Sequence, residues 1–217
     1  MTARATLTIS SRNYSSWSLR GWLICKMSGL DFEVKQLPID DPKTKAELLL
    51  LSPSFLVPRL MDGDVVAWGP IAIGAYLHEE FPKAGLLPAD RVARAHSRSI
   101  NGEMHSGFSN LRAAMPMNLK AKHAGWKIWS AARDDVERIA EIWTQCFEKF
   151  GGPYLFGERS ISDAMYAPVC TRFRTYGIKL GQLDSYVEQV LAMPEMQEWY
   201  EGAMDEADAV EELEMEF

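Results

Sequence analysis

The sequence predicts a small mixed-sheet α+β unit of order βαβαββα, followed by an all-α half. Three observations carry that expectation. Short alternating β-rich runs and amphipathic runs take turns as far as Pro82. An Asp62-Gly63 pair separates two β-rich stretches, the strongest hairpin signal in the chain. Beyond PKAGLLPAD (82–90), a segment bracketed by prolines and glycine, strand signals disappear and apolar residues recur at spacings of three and four.

The elements follow in order. ATLTIS (5–10) alternates and reads as the first strand, and Trp17 to Ser28 as a helix closed by Gly29. FEVKQL (32–37) is a second strand, and KTKAELLLLS a short helix stopping at Ser52-Pro53. VPRLM and DVVAW form the hairpin, and Pro70 opens a helix that runs to Phe81-Pro82. In the second half, Ile100, Met104, Gly107, Phe108, Leu111 and Met115 trace one long helix face, and Val136 to Phe150 another, ended by Gly151-Gly152-Pro153. Ser160-x-x-Asp163 is a capping box for a helix through Arg172, and two helices over about 182–192 and 194–207 complete the half. The expected organisation is therefore 1–82, a linker over 83–91, and 92–217 with an acidic tail.

Composition narrows the function classes. The chain has 217 residues, 47% hydrophobic and 24% charged, with net charge −7. Residues 201–217 hold eight acids and no base, which leaves 22 acids against 23 bases before them; the tail reads as a solvated terminus on a neutral body. No basic stripe points to nucleic acid and no apolar run to a membrane span. The start MTARATLTIS lacks the apolar core of a secretory signal, so the expected location is the cytoplasm. Cys25, Cys146 and Cys170 are far apart and read as reduced, packed thiols, and the four histidines form no metal-ligand pattern.

SSRNYSSWSLRGW (10–22) crowds hydroxyls and an amide in front of a helix. Ser and Asn there satisfy the free N–H groups of the first turn. A hydroxyl at the positive end of a helix also stabilises an anion, such as a thiolate.

Taken together, SSWSLRGWLICKMSGLDFE, SPSFLVPRLMDGDVVAWGPIAIGAYLHEEFP, YLFGERSISDAMYAPV and LAMPEMQEWYEGAMDE resemble the glutathione S-transferase family in its serine-type, zeta-like form. The resemblance spans most of the chain. It implies a thioredoxin-like first domain, a helical second domain, glutathione as cosubstrate with no other cofactor, and a homodimer. It places Ser15 where the hydroxyl donates to the glutathione sulfur, with Ser16 and Trp17 beside it. Leu56, Val57 and a cis Pro58 would meet the glutathione backbone, and Gly69 and Pro70 would lie at the γ-glutamyl end. His105 and Arg112, seven apart and so read as one helix face, would contact an acidic electrophile. Trp68 would border the pocket, and Asp163 would be a structural cap.

The chain also departs from the family pattern. Phe55-Leu56 stands where relatives carry a basic residue, and Gly69-Pro70 where they carry an acid and a serine. Proline there removes a hydroxyl and an N–H together. The leading expectation is an enzyme in which a serine-stabilised glutathione thiolate attacks a small electrophile, by conjugation or isomerisation. The alternative is a non-catalytic binding or interaction protein with a degraded glutathione site. Thiol–disulfide exchange is disfavoured, because positions 14–17 hold no cysteine.

Overall fold

The structure, a computed structural model, describes residues 5–38, 41–48, 57–123, 125, 127 and 129–207, with no side-chain description at 47 and 48. Four strands, β1 (Ala5–Ile9), β2 (Phe32–Gln36), β3 (Arg59–Asp62) and β4 (Val65–Trp68), form one sheet in the order β2-β1-β3-β4. β1 pairs parallel with β2, Leu7 opposite Val34, and antiparallel with β3, Leu7 opposite Leu60. Asp62 opposite Val65 closes the β3–β4 hairpin over Gly63-Asp64, so the loop sits one residue beyond the expected Asp62-Gly63, with Gly63 taking the positive φ of 57° at its first position.

Helices α1 (Ser16–Ser28), α2 (Pro42–Leu48) and α3 (Pro70–Glu80) complete the βαβαββα order, so the mixed-sheet reading of the first half holds. Residues 49–56 lie outside the described residues, and with them Phe55, Leu56 and the expected helix end at Ser52-Pro53. Every residue of α1 except Lys26 is buried, because one face meets the sheet and α3 while the other packs on α7 of the helical half.

The second half comprises α4 (Arg91–Ser106), α5 (Ser109–Ala114), α6 (Ser130–Phe150), α7 (Ile161–Tyr176), α8 (Asp184–Leu191) and α9 (Pro194–Met204). Its core is aromatic. Fully buried Trp143 meets Tyr186, Tyr166 and Phe173 edge-on, at 4.8, 5.8 and 5.8 Å.

One expectation fails here. The face read from Ile100 to Met115 as a single helix is broken, because Gly107 is extended and Phe108 is left-handed at φ 60°. The periodicity survives the break because Phe108 and Leu111 still enter the core. Arg112 caps the interrupted helix, donating from Nε to the Gly107 carbonyl (3.2 Å) and from Nη2 to that of Met104.

The capping box at Ser160 forms as expected. The Ser160 side chain takes first-turn N–H groups, and Asp163 Oδ2 accepts the Ser160 N–H at 2.8 Å. Asp163 Oδ1 also accepts from Leu155 N (3.2 Å) and the Tyr186 hydroxyl (3.0 Å). With the Ser160 hydroxyl donating to Oδ2 at 3.2 Å as the fourth, the hydrogen bonds on this fully buried carboxylate mark a structural cap. Burial nevertheless outweighs those bonds and pushes the carboxyl up to about 6.

Candidate functional site

The loop between β1 and α1 ends at Ser15, which is 4% exposed. Ser15 is the N-cap of α1, its Oγ accepting the Ser18 N–H at 3.2 Å. Capping therefore accounts for one of the oxygen's lone pairs. The hydroxyl proton is a separate resource with no acceptor among the described residues, and it lies at the positive end of a thirteen-residue helix. The other hydroxyls divide the work. Ser18 Oγ accepts the Ser10 N–H (3.1 Å), and Ser11 Oγ accepts the Tyr14 N–H (3.0 Å). The crowding of polar residues in 10–18 thus satisfies a buried strand-to-helix turn, and the Ser15 O–H donates to no group among the described residues.

Val57-Pro58 is cis. Pro58 lies against α1 so closely that a Cβ at Gly21 would stand 2.4 and 2.5 Å from its ring atoms, so glycine there lets hairpin and helix meet. The Pro58 carbonyl accepts the Gly69 N–H at 2.9 Å, which ties the hairpin to the start of α3. Gly69 is the N-cap of α3 at φ 78°, with no side-chain cap, and Pro70 occupies the first turn. The left-handed backbone at Gly69 disfavours any side chain there. Trp68 is 59% exposed on the edge strand.

Trp17 organises the other wall. The guanidinium carbons of Arg20 and Arg112 each lie 5.1 Å from its ring centre, and the His105 ring meets it edge-on at 4.9 Å. His105 and Arg112 are therefore brought together, though not for the reason their spacing suggested: they sit on two helices, either side of the break at Gly107. Ser16, 7% exposed, begins α1 next to them.

Two further arginines escaped the sequence reading. Arg20 is wholly buried; its Nε donates to the Met165 carbonyl of α7 at 2.8 Å. Its Nη1 and Nη2 are buried with no hydrogen-bond partner among the described residues. Arg172 donates from Nε to the Met115 carbonyl (2.8 Å) and from Nη1 to that of Pro168 (3.0 Å). Burial lowers all three guanidinium groups, and mutual repulsion lowers Arg20 and Arg172 further. Arg112 falls to about 10 and Arg172 to about 9, so both stay cationic at neutral pH. Burial, Arg20 and Arg112 push His105 down. Three buried guanidinium groups so close together favour an anion. The available signal was Arg20 itself, a lone cation in an otherwise apolar stretch of α1.

The cysteines lie elsewhere in the chemistry. All three are buried and free, and burial raises each thiol, Cys146 to about 12. None is poised as a nucleophile.

Comparison with known proteins supplies the frame for this geometry. Residues 14–80 match the model of the glutathione S-transferase N-terminal domain, and residues 90–202 that of its C-terminal domain. A wheat (Triticum aestivum) "Glutathione S-transferase" is 33% identical over 71% of this chain and 72% of its own. A "Probable maleylacetoacetate isomerase" of Caenorhabditis elegans is 27% identical over 78% and 79% of the two chains. Among solved structures, a glutathione transferase homolog from Burkholderia GL BGR1, crystallised with bound glutathione, superimposes with a TM-score of 0.69. It is 25% identical, covering 95% of this chain and 100% of that one. The two domain matches together span most of the sequence and meet the sheet and the helical half in order, and on that ground the chain belongs to the glutathione S-transferase family.

Proposed function

We propose that the chain is a glutathione-dependent transferase or isomerase in which the Ser15 hydroxyl donates to the glutathione sulfur and holds it as the thiolate. The observation that carries this reading is the division of labour at Ser15. One of its lone pairs takes the Ser18 N–H while its proton has no acceptor among the described residues, at a helix N-terminus that favours negative charge. A hydrogen bond to a charged acceptor contributes about 1.5–3 kcal/mol, enough to shift a thiol by one to two pKa steps toward the thiolate at pH 7. The thiolate then attacks a small electrophile, and the protein supplies no nucleophile of its own.

Ser16, Trp17, Leu56, Val57, Pro58, Gly69, Pro70, His105 and Arg112 are the substrate-binding set in this reading. The arginine cluster around Trp17 favours an electrophile that carries a carboxylate, in keeping with an isomerase among the relatives. Glutathione is a cosubstrate, with no other cofactor. The division into 1–82, 83–91 and 92–217, a homodimer and a cytoplasmic location belong to the same proposal. For the dimer, Met61, Val66 and Trp68 are exposed on one face of the β3–β4 edge, an apolar surface that a second copy would cover. No helix among the described residues is long and apolar enough to cross a membrane.

Calorimetric titration with glutathione tests the reading. Binding in the millimolar range or tighter, lost or weakened at high salt, supports it; no heat at millimolar ligand removes it.

A second reading rests on the start of α3. With Gly69-Pro70 there, a binding or interaction protein with a degraded glutathione site is the alternative. Because Gly69 is left-handed, the informative substitution is Pro70→Ser, which restores a hydroxyl and an N–H at the first turn. Affinity gained by that variant over a parent that binds nothing favours the alternative.

A further inference from the structure

Glu206 follows α9, 191 residues after Ser15 in sequence, and belongs to the stretch expected to be a solvated tail. It is instead built into the loop that carries Ser15. One carboxylate oxygen, Oε2, accepts from the Ser11 hydroxyl at 2.7 Å and from the Asn13 N–H at 3.2 Å. The other, Oε1, accepts from the Arg12 N–H and from Gln36 Nε2, the latter at 2.7 Å. Successive backbone N–H groups turned onto one anion form a nest, and here a side chain of the protein fills it.

The surrounding contacts hold the loop to the helical half. Asn13 Oδ1 accepts from Leu119 N (2.7 Å) and Lys120 N (3.1 Å), and its Nδ2 donates to Asn118 Oδ1 (3.0 Å). Trp199 of α9 donates from Nε1 to the Arg12 carbonyl at 2.9 Å, while the Arg12 guanidinium lies over the Trp199 ring at 4.9 Å. Lys120 Nζ donates to the Glu206 carbonyl.

The decisive link is Ser11. Its hydroxyl proton goes to Glu206, its Oγ accepts the Tyr14 N–H at 3.0 Å, and its carbonyl accepts the Ser15 N–H at 3.1 Å. A continuous chain therefore runs from Glu206 through Ser11 to the backbone of Ser15. We infer that Glu206 is a positioning residue for the active-site loop: through Ser11 it fixes the direction in which the Ser15 hydroxyl points, and so sets how far the bound thiol is ionised. The inference rests on the reading of Ser15 as the thiol's hydrogen-bond donor.

The test uses the full chain and its Glu206→Ala, Ser11→Ala, Glu206→Ala/Ser11→Ala and Ser15→Ala variants. Amide hydrogen exchange in the glutathione-free protein reads the loop directly. The expected result for Glu206→Ala is faster exchange at Arg12 to Ser15, with α6 and α7 unchanged; unchanged loop exchange overturns the inference. Ultraviolet absorbance of the bound thiolate against pH reads the consequence. Glu206→Ala is expected to lower the thiolate fraction at a fixed pH by about tenfold, with the double variant no worse than either single one. A variant that lowers only the melting temperature, with thiolate fraction and loop exchange intact, overturns the inference. If Ser15→Ala leaves the thiolate fraction untouched, the reading of Ser15 fails on its own; if Ser15→Ala lowers it and Glu206→Ala does not, only the positioning role fails.

Discussion

Asp163→Asn isolates the balance of forces at the cap of α7. In the native protein the carboxylate accepts four hydrogen bonds, from Leu155 N, the Tyr186 hydroxyl, Ser160 N and the Ser160 hydroxyl. An asparagine amide keeps one oxygen and turns an NH₂ toward donors, so the variant loses stability at every pH, by about 1–3 kcal/mol for each stranded donor. The charge works in the opposite direction. Burial raises the native carboxyl from 3.8 to about 6, so the folded state binds a proton that the unfolded state has released throughout the window between those values. A folded-state value raised in this way makes stability fall as pH rises through the window. The full loss is about 3 kcal/mol, of which about 1.4 kcal/mol falls between pH 5 and 7.5. Asparagine has no such term. The difference in unfolding free energy between native and variant, from urea denaturation at the two pH values, should therefore be larger at pH 5 by about 1.4 kcal/mol. A difference that grows toward pH 7.5 refutes the reasoning, because the hydrogen bonds would then outweigh burial.

Three other outcomes follow from the same geometry. Gly21→Ala forces a methyl to within 2.4 Å of Pro58 and should cost about 1–3 kcal/mol in chemical denaturation, with the hairpin displaced. Arg112→Ala removes both side-chain bonds that cap the C-terminal end of α4 and a cation over Trp17. It should raise KM for a carboxylate-bearing electrophile about tenfold or more while leaving a neutral electrophile within about twofold. Arg20→Met should be tolerated better than the loss of a buried cation usually allows, because two of its three nitrogens have no partner among the described residues; thermal unfolding within a few degrees of native checks this.

Local signals carried most of the fold. The Pro70 and Gly29 helix boundaries and the Ser160 box are encoded within a few residues and formed where the sequence placed them, and the hairpin formed with its loop one residue later than the Asp-Gly signal put it. The break at Gly107-Phe108 was hidden because apolar spacing continues across it, and its cap comes from Arg112, a side chain outside the interrupted helix. The candidate site was half legible. Ser15 and Pro58 stand in local patterns, whereas Arg20, Arg172 and Glu206 acquire meaning only through partners more than fifty residues away, Met165, Met115 and Ser11. Long-range partners of that kind leave no trace in the spacing of a single sequence. His105 and Arg112 meet at Trp17 by way of the chain break, so the spacing led to the right pair by the wrong geometry.

The most direct measurement is the pH titration of glutathione's thiolate absorbance when bound to the native protein and to Ser15→Ala. The account predicts that native protein ionises the bound thiol well below its value in free solution, and that Ser15→Ala returns it most of the way while glutathione still binds. Equal titration curves for the two proteins, at full occupancy, would contradict it.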